Sequence, residues 1–189
     1  MKNKVVIVIN GKGGAGKDTL CESICRTRNA KNISSIDPIK EVARHYGWGG
    51  EKDDKARRFL SELKAAFVNY NNWPTVYLLD KTQQFLLDDS SEILFVNIRE
   101  PDQIEEYKKA VSQCPVLTLL VKSTLVNDCH LYGNTSDDNV YYYEYDYIFE
   151  NAPPLDRSII KFGDLIDDIW VRTITTSIQQ YITRRTTNE

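Results

Sequence analysis

The feature that most constrains the fold is a glycine-rich turn between an apolar strand and a helix. Residues 5–10 read VVIVIN, and the turn continues as GKGGAGKDT from Gly11 to Thr19. Gly11, Gly16 and Lys17 satisfy the spacing G-x-x-x-x-G-K. In that arrangement backbone N–H groups converge on a phosphate at the helix N-terminus, and the lysine reaches the outer phosphates. Four of the nine glycines lie in this turn, which favours close approach of a ligand to the backbone. The turn therefore predicts a phosphate-binding loop in an α/β fold.

Apolar runs and amphipathic segments alternate along the chain. The apolar runs, which are rich in β-branched residues, are at 5–10, 32–37, 92–98, 116–122 and 145–151. The helical periods are at 17–28, 38–46, 53–70, 75–88, 101–113 and 162–183. This alternation predicts a single α/β domain over residues 1–189, with helices on both faces of a parallel sheet.

Side-chain spacing gives two local predictions. In the helix at 53–70 it places on the buried face the apolar residues Phe59, Leu60, Leu63, Phe67 and Tyr70. The same spacing places four polar residues away from that face: Arg57, Arg58, Ser61 and Lys64. The tyrosines of the segment 137–147 alternate with other residues, which predicts that they pack in a strand.

Composition limits the partners and the compartment. The net charge of -3 gives no general attraction to nucleic acid or to an anionic membrane, so we expect neither as a partner. No apolar run has the length of a membrane span or a signal-peptide core, which predicts a cytoplasmic protein. Cys21 and Cys25 lie one helical turn apart, and packing as reduced thiols is favoured over a metal site with Cys129 and His130.

The residue after Lys17 is unusual for such a turn. Serine or threonine is expected there, but the sequence has Asp18 followed by Thr19. A carboxylate binds Mg²⁺ directly or through water, and the metal then offsets its charge beside the phosphates. Asp18 is therefore a candidate magnesium ligand, and Thr19 is the alternative.

The turn resembles two families, depending on where it is read from. From Lys12, KGGAGKD resembles the deviant Walker motif of the chromosome-partitioning and septum-site ATPases. Those proteins are nucleotide switches whose early lysine reaches across a dimer. From Gly11, the ending GKDT resembles the deoxynucleoside monophosphate kinases, a group of P-loop nucleotide kinases.

Four segments further along favour the kinases. SIDPIKEVARHYGW at 35–48 resembles their ADPLKE…GW stretch, and KDDKARRFLSELK at 52–64 is similar to their arginine-bearing acceptor helix. FVNIREPDQIE at 95–105 resembles their D-V-R-x-x-x-E element, and DYIFEN at 146–151 resembles their DYVIDN. The order and spacing of these segments match the kinase pattern over most of residues 4–165.

The kinase resemblance implies a fold, a reaction and a set of site residues. The fold is a five-stranded parallel sheet in the order 2-3-1-4-5, with an acceptor-binding region at about 38–90 and a lid-like loop at about 123–139. The reaction is Mg·ATP-dependent phosphoryl transfer to a (deoxy)nucleoside monophosphate or a similar small phosphorylated acceptor. The implied nucleotide-binding residues are Gly11, Lys12, Gly13, Gly14, Ala15, Gly16, Lys17, Asp18 and Thr19. The implied catalytic residues are Lys17, Asp37 and Arg99, and the acceptor residues are Asp37, Lys40, Arg57, Arg58 and Arg99. Monomer and homodimer both stay open.

Two departures from the kinase pattern bear on the activity. Asn97 stands where the kinases prefer aspartate, and no arginine lies between Arg99 and Arg157, where they carry lid arginines. Only Lys122 and His130 flank or enter the lid-like loop as candidate cations. The sequence therefore predicts slow transfer to common monophosphates, or a different acceptor. The alternatives are a nucleotide-binding switch and a kinase-like protein that has lost transfer.

Simple structural roles compete with several of these functional ones. Asp37 is a candidate N-cap for a helix that begins at Pro38, and Glu100 is a candidate cap for one beginning at Pro101. Arg58 has Glu62 one turn away as an ion-pair partner. The Lys12 side chain lies either on phosphate or in solvent, and Asn151 either borders the adenine or turns the chain.

Overall fold

The computed structural model describes residues 3–51, 53–125 and 139–186, except for the side chains at 177, 178 and 180–186. The elements occur in the order β1 (Val5–Asn10), α1 (Lys17–Thr27), β2 (Ala30–Ser34), α2 (Asp37–His45), α3 (Asp54–Asn71), α4 (Trp73–Leu87), β3 (Ile93–Asn97), α5 (Pro101–Ala110), β4 (Val116–Ser123), a 3₁₀ turn (Val140–Tyr142), β5 (Tyr147–Asn151) and α6 (Leu155–Thr186). Among these residues, no helix combines the length and apolarity that crossing a membrane requires.

The five strands form one parallel sheet in the order β2-β3-β1-β4-β5. This confirms the fold class and the strand order that the kinase resemblance implied. β1 is central, and Ile9 is in register with Asn97 of β3 and Leu119 of β4. The glycine-rich turn after β1 therefore lies beside the residues that follow β3 and those that follow β4.

Helices cover both faces of the sheet, which is why β1 is apolar and buried throughout. On one face, α1 and α6 contribute Leu20, Ile24, Phe162 and Ile166 to a core cluster with the strands. On the other face, α4 and α5 contribute Leu78, Phe85, Ile104 and Tyr107. A third, smaller cluster joins α2 and α3 through Ile39, Ala43 and Leu60. The helices of the expected acceptor region thus have a small core of their own.

The prediction for the buried face of α3 was partly wrong. Phe59 and Tyr70 are exposed, whereas Lys64 is buried with Ala56 and Leu60. These three buried residues form a stripe spaced by four, and the predicted Leu63 and Phe67 pack beside it, partly buried. Hydrophobicity alone did not identify the stripe, because one of its members is a lysine.

The prediction for the tyrosine segment was also wrong. Val140–Tyr142 forms a 3₁₀ turn and β5 begins only at Tyr147, while 137 and 138 lie outside the described residues. The Asp146 carboxylate accepts hydrogen bonds from the backbone N–H and hydroxyl of Thr118, at 2.7 and 2.8 Å. A side chain thus makes the link to β4 that strand pairing was expected to make.

The bounds of most other elements differ from the predicted ones by one or two residues, and three differ by more. Helix α6 begins at Leu155 rather than at 162, and α5 ends at Ala110 rather than at 113. Strand β2 spans Ala30–Ser34 rather than 32–37. These shifts leave the order of the elements unchanged.

Candidate functional site

The turn between β1 and α1 folds around the side chain of Lys17. Its ammonium donates a hydrogen bond to the carbonyl oxygen of Gly11 at 3.0 Å, and the residue is buried. Gly14 and Gly16 have φ values of 82° and 84°, in the left-handed region that favours glycine. A Cβ on Gly11 would lie 2.4 Å from the carbonyl oxygen of Val121, so β4 packs directly against the turn. The turn cannot accept larger residues at these positions without moving.

Asn151, the last residue of β5, holds this turn from the side. Its Nδ2 donates to the carbonyl oxygen of Ala15 at 2.9 Å, and its Oδ1 accepts from the hydroxyl of Ser158 at 2.6 Å. A Cβ on Gly16 would lie 2.3 Å from the same Nδ2. The structure gives Asn151 a further role, because its amide holds the backbone of the glycine turn in place. A contact with the adenine stays a prediction.

Asn10 connects the turn to the two neighbouring strand ends, and sequence reasoning missed it. Its Oδ1 accepts from the N–H of Gly11 at 2.8 Å, and its Nδ2 donates to the carbonyl of Arg99 at 3.0 Å and to the hydroxyl of Tyr145 at 2.7 Å. That hydroxyl donates in turn to the carbonyl of Val140 at 2.9 Å. The available signal was a polar residue ending an apolar, buried strand.

Two lysines meet one tyrosine beside the turn. The ammonium of Lys12 lies 5.2 Å from the ring centroid of Tyr141, and that of Lys122 lies 5.3 Å from it. Lys12 is only 3% exposed, so the expectation that it could point into solvent was wrong. Its contact with phosphate stays a prediction.

The candidate magnesium ligands lie at the start of α1. Asp18 and Thr19 are both exposed in its first turn. Asp37, at the start of α2, is close enough to Asp18 for that negative charge to add to the effect of burial, and together they raise the pKa of Asp37. Hard oxygen donors of this kind fit Mg²⁺, which takes one or two protein carboxylates and completes its shell with phosphate and water.

Asp37 is not a helix cap. Ile36 occupies the N-cap position, and the Asp37 carboxylate instead accepts from the backbone N–H of Ser34 at 2.7 Å. This bond and the nearby Lys40 both favour the charged form, although burial outweighs them. Asp37 and Lys40 therefore lie together at the start of α2, on the side of Asp18.

A cation that sequence reasoning did not select lies at the edge of β3. Lys64 of α3 donates to Oε2 of Glu100 at 2.6 Å, with 9% of the lysine side chain and 23% of the glutamate side chain exposed. Burial lowers the pKa of Lys64, and the positive charge of Arg99 lowers it further, against the opposing effect of Glu100. Lys64 and Arg99 are therefore neighbours. Glu100 occupies the N-cap position of α5, as expected, but its side chain binds Lys64 and makes no capping hydrogen bond.

The structure separates the two arginines of α3. Arg57 and Arg58 are both exposed, but Arg57 lies two turns before Lys64 on the same face of the helix. Arg58 lies on the face that carries exposed Glu62 and Asn69, and among the described residues it forms no ion pair with Glu62. Arg57 is thus brought toward the Lys64–Arg99 edge and Arg58 is not.

The hydrogen bonds of Asn97 explain why an amide replaces the expected carboxylate. Its Nδ2 donates to Oδ1 of Asn32 at 2.7 Å and to the carbonyl of Ile33 at 3.0 Å. An aspartate would present oxygen to both acceptors and repel them. Within the described part of the chain, the Oδ1 of Asn97 is buried without a partner. It is available to accept a hydrogen bond from water or a ligand.

The cysteines do not form a metal site in the described part of the chain. Cys21 is buried and Cys25 is half-buried, and burial raises the pKa of both thiols. Between residues 3 and 186, where side chains are described, no group of three or more His, Cys, Asp or Glu side chains is arranged to hold a metal. Cys129 and His130 lie outside the described residues, as does most of the lid-like loop.

Comparisons with known proteins relate the chain to kinases through its fold. No protein-family model matches the sequence, and no curated protein is significantly similar to it. The crystal structure of a candidate kinase from Chloroflexus aurantiacus J-10-fl is similar with a TM-score of 0.52 and 14% identity, over 94% of this chain and 98% of that one. The protein APE1195 is similar with a TM-score of 0.50 and 10% identity, over 90% and 98%. The APS kinase of Mycobacterium tuberculosis has a TM-score of 0.47 and 12% identity, over 87% and 98%. The chain thus has the three-layer fold of P-loop kinases.

Proposed function

We propose that this chain is an Mg·ATP-dependent phosphotransferase whose acceptor is a (deoxy)nucleoside monophosphate or a similar small phosphorylated molecule. The observation that carries the proposal is the pairing of two sites at one edge of the sheet. One is the braced glycine turn around Lys17, and the other is the cationic edge formed by Lys64 and Arg99. A transferase needs a donor site and an acceptor site next to each other.

The glycine turn suits the donor nucleotide. Its backbone N–H groups begin α1, where the helix N-terminus favours negative charge. Lys17, now bonded to Gly11, would exchange that carbonyl for the outer phosphates. The remaining residues of Gly11–Thr19 would line the phosphates. Asp18, with Thr19 as the alternative, would hold the magnesium, which supplies positive charge against the phosphates.

The cationic edge suits the acceptor phosphate. The positive charge of Arg99 is close enough to Lys64 to lower its pKa, and Arg57 lies on the same face of α3 as Lys64. Arginine side chains match phosphate oxygens in a bidentate fork. Asp37 and Lys40 lie at the start of α2 near Asp18, where they would orient the acceptor and the metal. Arg58 is the weakest of the predicted acceptor residues, since it faces away from this edge.

The reaction that follows is an in-line transfer. An oxygen of the acceptor phosphate forms the new bond to the γ-phosphorus. The bond from that phosphorus to the β,γ-bridging oxygen breaks, and its electron pair leaves with ADP. Because such transfer depends mainly on positioning and positive charge, Lys17 and Arg99 would act by holding and neutralising the phosphoryl oxygens.

We also propose that residues 1–189 act as one domain, with the acceptor-binding region at about 38–90. The lid-like loop at about 123–139 stays a prediction, since 126–138 lie outside the described residues. The switch alternative requires Lys12 to reach a partner chain. In the structure Lys12 is folded against Tyr141 of its own chain, which favours the transferase.

Two measurements test this proposal. Calorimetric titration should show Mg·ATP binding that Lys17→Ala weakens by at least about tenfold, because a charge-assisted phosphate contact is lost. Coupled ADP-release assays over a panel of nucleoside monophosphates should find one whose turnover requires Arg99. Equal ATP affinity of both proteins contradicts the nucleotide site. ATP-induced dimerisation in sedimentation, without turnover on any acceptor, would favour the switch instead.

A further inference from the structure

We propose that Lys12 and Lys122, both held on the ring of Tyr141, supply the positive charge that lid arginines supply in the kinases this chain resembles. The inference rests on the proposed transferase function and assigns it further residues. Its starting point is the observation that two ammonium groups lie 5.2 and 5.3 Å from one ring centroid. Lys12 lies in the phosphate-binding turn that follows β1, and Lys122 lies in β4, the strand beside β1.

The position of Lys122 is fixed by the sheet. It follows Val121, whose carbonyl oxygen is against Gly11, the first residue of the turn. Lys12 is the second residue of the same turn. β1 and β4 are hydrogen-bonded neighbours, with Asn10 in register with Leu120. The two lysines therefore belong to the rim of the proposed donor site and not to a distant surface.

The position of Tyr141 is fixed by hydrogen bonds to the same rim. The Tyr145 hydroxyl donates a hydrogen bond to the carbonyl of Val140, the residue before Tyr141, and it accepts one from Nδ2 of Asn10. Asn10 in turn accepts from the N–H of Gly11. One chain of bonds thus runs from the glycine turn to the residue that precedes the ring. These bonds hold the backbone just before Tyr141 beside the turn.

The ring has a physical effect on the two lysines. An ammonium over an aromatic face is attracted by the ring quadrupole, more strongly where water is excluded, and Lys12 is buried. A free lysine side chain samples many rotamers, which must be restricted before it can act at a fixed point. A lysine that is already restricted provides preorganised charge, the kind that stabilises a transition state.

The transfer step makes use of charge at this rim. As the bond to the β,γ-bridging oxygen breaks, negative charge moves onto that oxygen and onto the equatorial oxygens of the phosphoryl group. The electron pair ends on ADP, and the acceptor oxygen completes the new bond. The lysines stabilise the negative charge by electrostatic attraction and exchange no proton. Lys17 neutralises the phosphates from within the turn, and Lys122 with Lys12 would do so from the β4 side. Tyr141 is a positioning residue in this scheme.

Substitutions of Lys122 and Tyr141 test the inference by steady-state kinetics. Lys122→Met should lower kcat on the order of 10²-fold, as loss of one preorganised donor does, with little change in the KM for ATP. Lys122→Arg should restore most of the rate. Tyr141→Leu should lower kcat about tenfold by releasing the lysines, and Tyr141→Phe, which keeps the ring, should recover much of that loss. Lys109→Met, at an exposed lysine of α5, is the matched control for charge.

A binding measurement makes the test independent of the acceptor. ADP with aluminium fluoride mimics the phosphoryl group in transit, so its affinity relative to that of ADP reports the charge available to that group. Lys122→Met should reduce this ratio about tenfold, and Lys109→Met should leave it unchanged. Circular dichroism checks that each variant is folded.

The outcomes separate the two proposals. Turnover on a monophosphate with no effect of Lys122→Met in either assay would overturn this inference and leave the transferase standing. Fluoride-dependent binding that requires Lys122, without turnover on any acceptor, would support the inference and contradict the acceptor class. If the wild-type protein shows neither turnover on any acceptor nor fluoride-dependent binding of ADP, both the inference and the transferase proposal are overturned.

Discussion

The ion pair between Lys64 and Glu100 gives a sharp quantitative prediction. The pair joins α3 to the residues after β3, at an N–O distance of 2.6 Å. The two single variants are Lys64→Met, which keeps the length of the side chain, and Glu100→Gln, which keeps its shape. Neither change requires the backbone to move, so a double-mutant cycle isolates the interaction.

The expected magnitude follows from the burial of each partner. Removing one member of a buried pair costs about 3–5 kcal/mol, whereas an exposed pair contributes about 0–1 kcal/mol. The Lys64 side chain is 9% exposed and that of Glu100 is 23% exposed. Glu100→Gln leaves the more buried charge, beside Arg99, without its carboxylate, and we expect it to cost about 3 kcal/mol. Lys64→Met leaves the more solvated charge and should cost less, about 1–2 kcal/mol.

The cycle should return a coupling energy of about 2 kcal/mol, near the upper part of the range for residues in contact. Urea unfolding followed by tryptophan fluorescence measures it, with Lys109→Met as a control for the loss of a positive charge. A loss of 2 kcal/mol corresponds to a midpoint shift of about 1 M for a slope near 2 kcal/mol/M. A coupling below about 0.5 kcal/mol, or a larger loss from Lys64→Met than from Glu100→Gln, would refute the argument from burial.

Three further predictions concern side chains that position the site. Asn151→Ala should lower Mg·ATP affinity about three- to tenfold, since the backbone at Ala15 loses its hydrogen bond. Calorimetry measures this, and an unchanged affinity would mean that the turn is rigid without the brace. Asn97→Asp should destabilise the fold by about 2 kcal/mol at neutral pH, because a carboxylate meets two acceptors at Asn32 and Ile33. The loss should shrink in acid as the new carboxyl gains a proton, and a constant loss between pH 7 and pH 3 would contradict this reason. Asp37→Asn should stabilise the protein at neutral pH. Burial raises the pKa of Asp37 above its ordinary 3.8, so folding is favoured below that pH and penalised as pH rises through the raised pKa. Denaturation curves at several pH values should therefore show a gain that disappears in acid, and a gain independent of pH would contradict the assignment.

The fold was predictable because its signals are local. The apolar runs of 5–10 and 116–122 and the intervening amphipathic periods are read directly from the chain, and they suffice for an α/β fold. The glycine turn locates the phosphate-binding edge by itself. The strand order did not follow from these patterns. It came from the resemblance to the kinases, because no local signal states which strands are neighbours.

The residues that sequence reasoning missed depend on partners distant in the chain. Lys64 can be buried because it forms an ion pair with Glu100. The helical periodicity of α3 contains no information about that glutamate. Asn97 was interpreted as a departure from aspartate, and its reason became visible only with Asn32 on the neighbouring strand. Tyr145 has the alternation expected of a strand residue, yet it lies before β5. Its hydroxyl is hydrogen-bonded to Asn10 and Val140 instead.

The missing lid arginines illustrate how far a linear pattern can mislead about charge. The absence of arginine from 100 to 156 predicts a poorly neutralised phosphoryl group only if neutralising charge must come from the lid. The order β2-β3-β1-β4-β5 brings the ends of β1 and β4 together, so Lys12 and Lys122 become neighbours although they are far apart in sequence. Both ammonium groups then lie near the aromatic ring of Tyr141. If Lys12 and Lys122 act as proposed, their charge at the sheet edge offsets the absence of arginine from 100 to 156.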